Sequence, residues 1–133
     1  MDIGAHEFQA PQSVISYAWL QQYGLPNNGS ADYADTDKDG MNNWQEWVCA
    51  TDPTSPSSSL RIIEFSCSTS GTSVTWQSVS NRNYFVQRST NLVIDPAFSM
   101  IKSAISGQPG TTSFSDTKAI GRGSYYYRVG VQQ

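Results

Sequence analysis

Twelve consecutive residues constrain this chain more than any other part of it: Asp35-Thr36-Asp37-Lys38-Asp39-Gly40-Met41-Asn42-Asn43-Trp44-Gln45-Glu46. Three carboxylates at alternate positions repel one another strongly unless a cation neutralises them. A tightly curled loop turns that repulsion into an asset, because it aims alternate side chains at one centre. The stretch fills every defined position of the calcium-loop pattern D-x-D-x-D-G-x5-E. Ca²⁺ takes six to eight hard oxygens at about 2.3–2.6 Å. Asp35, Asp37 and Asp39 are expected to supply carboxylates from positions 1, 3 and 5, and Gly40 allows the sharp turn at position 6. The carbonyl of Met41 serves position 7, Asn43 acts directly or through water at position 9, and Glu46 closes the shell with both oxygens at position 12.

The competing reading is a solvated acidic loop without an ion, which leaves unexplained why the acids crowd around a glycine. Mg²⁺ suits the loop less well because it prefers octahedral geometry and keeps its waters. Zinc is poorly served by a stretch whose one nearby soft ligand is Cys49. Asp32 and Asp52 flank the loop as candidate accessory ligands; the alternative is that they serve as a turn residue and as an acceptor for local amides before Pro53. Together Asp32, Asp35, Asp37, Asp39, Glu46 and Asp52 are six of the eleven acids in a chain of formal net charge −3. The remainder is mildly basic, so the acidity is concentrated in one place and points to a cation.

At 133 residues the chain has room for about one domain, or one domain plus a small appendage. Residues 1–11 read as a tail, residues 12–58 as a helix, calcium loop and helix, and residues 59–133 as a β domain. Val14, Ile15, Ala18 and Trp19 recur at helical spacing, with Ser13 as N-cap and Gly24 as stop, which predicts a helix over 13–23. Trp44, Trp47 and Val48 predict a second over 43–50. Helices this short are marginal in water without the ion, so chelation is expected to unfold or loosen residues 13–52. The Pro-Ser run over 53–59 breaks the composition, and beyond it the pattern becomes β. Strands are expected at 60–67, 72–79, 83–90, 98–105, 111–116 and 124–132, which favours a small antiparallel sandwich.

Charged residues make up 14% of the chain, low for a soluble domain, and Ser, Thr, Asn and Gln fill the surface instead, as in many extracellular β modules. No basic stripe is available for phosphates, so nucleic acid is excluded as a partner. No apolar run approaches the roughly 18 residues of a membrane span. An active site needs a nucleophile, acid or base held by partners. The sole histidine, His6, lies in the tail, Cys49 and Cys67 lack a basic partner, and the acids belong to the loop, so no enzyme is expected. Cys49 and Cys67 are the only cysteines, and the even count leaves two readings: a bridge between the two units, or two buried thiols.

Three resemblances rest on these residues. The loop resembles the Asp-rich repeats of dockerins and thrombospondin type 3 modules, including Asn43 at the ninth position. It is EF-hand-like, but Asn42 stands where paired sensor loops carry an aliphatic residue, and the second loop needed for dockerin-style binding is missing. Residues 2–8 resemble the closing strand of secreted parallel β-helix proteins, which implies a preceding β-helix domain. Val74-Thr75-Trp76, Tyr84-Phe85-Val86-Gln87-Arg88-Ser89 and Tyr125-Tyr126-Tyr127-Arg128-Val129-Gly130-Val131 resemble the second, third and penultimate strands of a fibronectin type III domain. That family's last strand would begin where this sequence ends, implying six strands or an edge completed by another segment.

Period-two alternation turns Val74, Trp76, Tyr84, Val86, Tyr127, Val129 and Val131 inward and leaves Tyr125 at the rim. Phe85, Gln87, Tyr126 and Arg128 then point outward, and the fibronectin resemblance makes their strands neighbours. This face would either dock a glycan or a protein surface, or be covered by the helical unit. The sequence thus predicts an α+β, mainly β protein: a helix-loop-helix calcium unit packed on a fibronectin type III-like antiparallel sandwich. The expected function is a monomeric, non-catalytic, calcium-stabilised module at the C-terminus of a secreted or cell-surface protein. The alternative is a carbohydrate-binding module. Several exposed aromatics would favour the sugar reading, and burial of all four tryptophans the structural one.

Overall fold

A computed structural model describes residues 12–120 and 124–132. The expected tail and its β-helix resemblance lie outside the described residues. The chain divides into two compact units, one ending at Ser58 and the other beginning at Ser59. The described residues are mostly β, with six strands in two antiparallel sheets and two short helices.

In the first unit, helix α1 spans Tyr17–Gln22 and is capped by Ser16, whose hydroxyl accepts from the Trp19 N–H. The predicted start at Ser13 fails because that hydroxyl has another use: it donates to Asp32 Oδ1 at 2.6 Å and accepts from the Ile15 N–H. The stop at Gly24 has a clear cause. Gly24 takes φ +68°, its N–H reaches the Gln21 carbonyl, and the Leu25 N–H reaches the Leu20 carbonyl at 2.8 Å. These are the two bonds of a Schellman cap, accompanied by packing of Leu25 on Leu20. A buried hydrophobic cluster here joins Ile15, Leu20 and Ala31, with Trp19, Leu25, Trp44 and Trp47 packed against them. The expected stripe was therefore out of phase, since Val14 is 55% exposed and Leu20 is fully buried.

Helix α2 spans Asn43–Cys49. Asn42 accepts from the Gln45 N–H while the Gln45 side chain accepts from the Asn42 N–H, a complete capping box. Ala50 ends the helix in the left-handed region at φ 59°, which lets the Thr51 N–H close on the Glu46 carbonyl at 3.0 Å. Only α2 adjoins the acidic loop. Residues 23–34, with Pro26 and Gly29, separate α1 from Asp35, so the expected helix-loop-helix is replaced by a loop leading into one helix.

In the second unit β1 (Ile62–Ser68), β2 (Gly71–Ser78) and β5 (Gly110–Asp116) form one sheet in the order β1-β2-β5. Strands β3 (Asn83–Ser89), β4 (Ser99–Ser106) and β6 (Tyr126–Gln132) form the other in the order β4-β3-β6. Val74 and Trp76 from one sheet meet Tyr84 and Val86 from the other in a single buried cluster, which makes the arrangement sandwich-like. Tyr127, Val129 and Val131 pack against that cluster, as period-two alternation requires. Burial of each such side chain contributes about 1.5–3 kcal/mol. Across the core Arg88 Nη1 of β3 meets Asp116 Oδ2 of β5 at 2.6 Å, and the Tyr127 hydroxyl of β6 donates to the same oxygen at 2.9 Å. That contact fastens one sheet to the other.

Candidate metal centre

The loop folds around Asp35. Its Oδ1 accepts from the Lys38 and Asp39 N–H groups at 2.7 and 3.2 Å, and its Oδ2 accepts from the Gly40 N–H at 2.9 Å. Asp37 Oδ1 accepts from the Asp39 N–H and Asp39 Oδ1 from the Met41 N–H. Gly40 takes φ +100°, where a side chain would be strained, so the glycine of the pattern has a conformational reason. The result gathers one oxygen from each of Asp35, Asp37 and Asp39 within 4.8 Å of one another, a group that could hold a metal ion. Met41 follows in the loop, half-buried.

What the loop does not bond is as informative as what it does. Asp37 Oδ2, Asp39 Oδ2 and Glu46 Oε2 are buried and have no hydrogen-bond partner. Glu46 is fully buried, and its other oxygen accepts from the Thr51 hydroxyl at 2.7 Å. Burial pushes the Glu46 carboxyl up to about 7, with the charges of Asp37, Asp39 and Asp35 adding to the rise and the Thr51 bond opposing it. Burial and then the neighbouring Asp39 also raise Asp37. The sole base in the stretch, Lys38, is exposed and forms no ion pair with these acids. The fold therefore holds a set of anionic oxygens together without supplying a positive charge of its own.

The structure assigns Asn43 a different task from the one expected. Its side chain is fully buried and saturated, with Nδ2 donating to the Ala31 carbonyl at 2.8 Å and the amide exchanging bonds with the Thr36 hydroxyl. Its backbone N–H donates to the Ala34 carbonyl, and that of Trp44 to the Asp32 carbonyl. Asn43 ties the two ends of the loop together, with its side-chain amide bonded to Ala31 and Thr36. Neither flanking acid joins the cluster. The two oxygens of Asp32 accept from the Ser13 hydroxyl and the Val14 N–H, and Asp52 Oδ1 accepts from both Thr54 donors in a tight turn. Asp52 thus bonds local donors, whereas Asp32 fastens a segment 18 to 19 residues earlier in the chain.

No protein-family model, curated protein or solved structure matches this chain. The chemistry has to be read from the chain's own atoms.

The outward face of the β4-β3-β6 sheet is assembled but largely self-occupied. Phe85 lies opposite Gly130 and covers it so closely that a Cβ there would collide with the ring. Arg128 sits 4.5 Å over the Phe98 ring and donates to Gln87. Tyr126 is open to solvent, at 43% exposure. Trp76 is fully buried, and Trp19, Trp44 and Trp47 are packed on the first unit's core. The expected bridge is not formed: Cys49 is a buried thiol at the end of α2, and Cys67 an exposed one on β1. Sequence reading missed the Arg88, Asp116 and Tyr127 contact, because its partners lie on three different strands and no local spacing joins them.

Proposed function

We propose that this protein is a non-catalytic, calcium-stabilised accessory module of a secreted or cell-surface protein, with Ca²⁺ held by the loop from Asp35 to Glu46. The observation that carries the reading is the trio of buried, unpartnered oxygens on Asp37, Asp39 and Glu46, at positions 3, 5 and 12 of the pattern. Unsatisfied buried carboxylate oxygens cost several kcal/mol unless a cation meets them. Asp35 and the Met41 carbonyl complete the oxygen set, and the flexible, oxygen-rich geometry favours Ca²⁺ over Mg²⁺. Asn43 serves this site by closing the loop. The resemblance to dockerin and thrombospondin type 3 loops is supported by the pattern alone, without a paired loop. The fibronectin type III-like reading of the second unit is supported by β3 and β6 being neighbours.

Calorimetric titration of the full chain with CaCl₂ and, separately, MgCl₂ tests the proposal. One calcium per chain is expected, bound at least tenfold more tightly than magnesium, and Glu46→Gln should weaken it by tenfold or more. Absence of calcium binding, or binding unchanged in the variant, would overturn the assignment. Glycan binding at the outward face of Phe85, Gln87, Tyr126 and Arg128 finds less support. Phe85 and Arg128 are engaged by their own neighbours, and none of the four tryptophans offers an open platform.

A further inference from the structure

The second unit has a cleft that the calcium reading does not use. Strand β4 is the edge of one sheet and β5 the edge of the other, and a cavity of about 360 Å³ opens between them. Its size lies at the low end of small-molecule sites, enough for about one sugar ring. Arg88 and Lys118 bring two positive charges to its wall, and Asp116 brings one negative charge.

The carboxylate does not cancel both cations equally. Asp116 is buried and accepts from Arg88 Nη1, the Tyr127 hydroxyl and the Lys118 N–H. Its Oδ2 takes two of these donors and its Oδ1 the third, so the carboxylate is engaged by the protein itself. Among the described residues the Lys118 ammonium has no ion-pair partner, and Arg88 commits only Nη1 to Asp116, leaving further guanidinium donors. The cleft therefore carries a net charge of about +1 on a protein of net charge −3. Ser99, Ser115 and Thr117 place hydroxyls on the rim, each able to donate and accept, while Met100 and Phe114 form an apolar wall.

From this combination we infer that the cleft between β4 and β5 binds an acidic sugar of the uronate class. The carboxylate would sit at Lys118 and the open donors of Arg88, the ring hydroxyls at Ser99, Ser115 and Thr117, and the C–H face of the ring against Met100 and Phe114. A simple inorganic anion would leave the apolar wall unused, and a neutral sugar would leave Lys118 without a counter-charge. The site is separate from the outward face of Phe85 and Tyr126, and does not depend on calcium in the first unit.

The test is a chemical-shift titration of the calcium-loaded full chain with glucuronate and galacturonate, against glucose, galactose and acetate at matched ionic strength. Lys118→Gln is the informative variant, because its side chain is exposed and the variant should remain native. Shifts confined to residues 88, 99–101 and 114–118 are expected with either uronate, weakened about tenfold by Lys118→Gln. Comparable shifts with acetate would overturn the sugar assignment in favour of a bare anion site. Comparable shifts with the neutral sugars, no shifts with any ligand, or an affinity indifferent to Lys118→Gln would each overturn the inference itself. None of these outcomes depends on the loop binding calcium.

Discussion

The two units bury carboxylates in opposite ways. In the second unit Asp116 meets a guanidinium, a phenol and a backbone N–H, so its charge is balanced by groups the chain itself provides. In the first unit Asp35, Asp37, Asp39 and Glu46 converge without a cationic side chain, and three of their oxygens are buried with nothing to bond. Burial disfavours charge in both places. The outcome differs because hydrogen bonds from Arg88, Tyr127 and Lys118 more than offset burial at Asp116 and hold its carboxyl below the usual range, while at Glu46 burial and neighbouring charge act together and raise it. One unit matches its buried carboxylate with donors of its own; the other leaves three carboxylate oxygens unmatched.

The largest effect should come from removing the calcium proposed for the loop. With calcium at about 1,000 times Kd, binding to the folded form alone contributes about 4.1 kcal/mol. Adding EDTA should therefore collapse amide-exchange protection in residues 13–52 while leaving β2, β3 and β5 protected. Equal loss of protection in both units would erase the contrast.

Acid should separate the units in opposite directions. The folded-state value of Glu46, about 7, lies above its ordinary 4.5. Between those values the folded form holds more protons than the unfolded one, so the calcium-free first unit loses stability as pH rises from about 4.5 to 7. Asp116 is lowered, so its contribution is present above the ordinary carboxylate value and is lost as pH falls towards its folded value. Thermal melts in EDTA across pH 3–8, read by resolved signals from each unit, should show these opposing slopes. Calcium competes with the Glu46 proton, so binding near pH 6 should release about one proton per ion, measurable by titration in buffers of different ionisation enthalpy.

The contrast also explains what could be read from sequence. All six strands fall within two residues of expectation, because period-two alternation is local and each strand carries it. The loop acids were legible for the same reason: alternation and one glycine encode the curl. The first helix was misjudged at its start because Ser13, a suitable cap by local rules, is claimed by Asp32 from 19 residues away. Asn43 was misjudged in a similar way, since its position matches a ligand and its partners, Ala31 and Thr36, are visible only in three dimensions. The Arg88 to Asp116 pair, 28 residues apart, left no pattern to find.

That pair predicts the effect next in size. Arg88→Met removes the charge that Asp116 needs while keeping an unbranched chain in place, and stranding a buried carboxylate costs about 3 kcal/mol. The loss should appear in melts of the second unit, be the same with calcium or EDTA, and be partly relieved at low pH as Asp116 takes up a proton. If it grew on adding EDTA, the charge balance of the two units would be coupled.

Asn43→Asp gives the smallest effect and divides two accounts of the loop. A metal ligand at position 9 would gain a formal charge in this variant and tighten calcium binding. A side chain that closes the loop would instead lose the Nδ2 donor to the Ala31 carbonyl and set a carboxylate oxygen against it. Leaving that buried carbonyl unmatched costs about 1–3 kcal/mol. With the side chain fully buried and bonded as it is, the calcium-free first unit should lose about 2 kcal/mol and calcium affinity should not rise. Tighter binding together with unchanged calcium-free stability would return Asn43 to the coordination shell, and would mean that the amide turns away from Ala31 when the ion arrives.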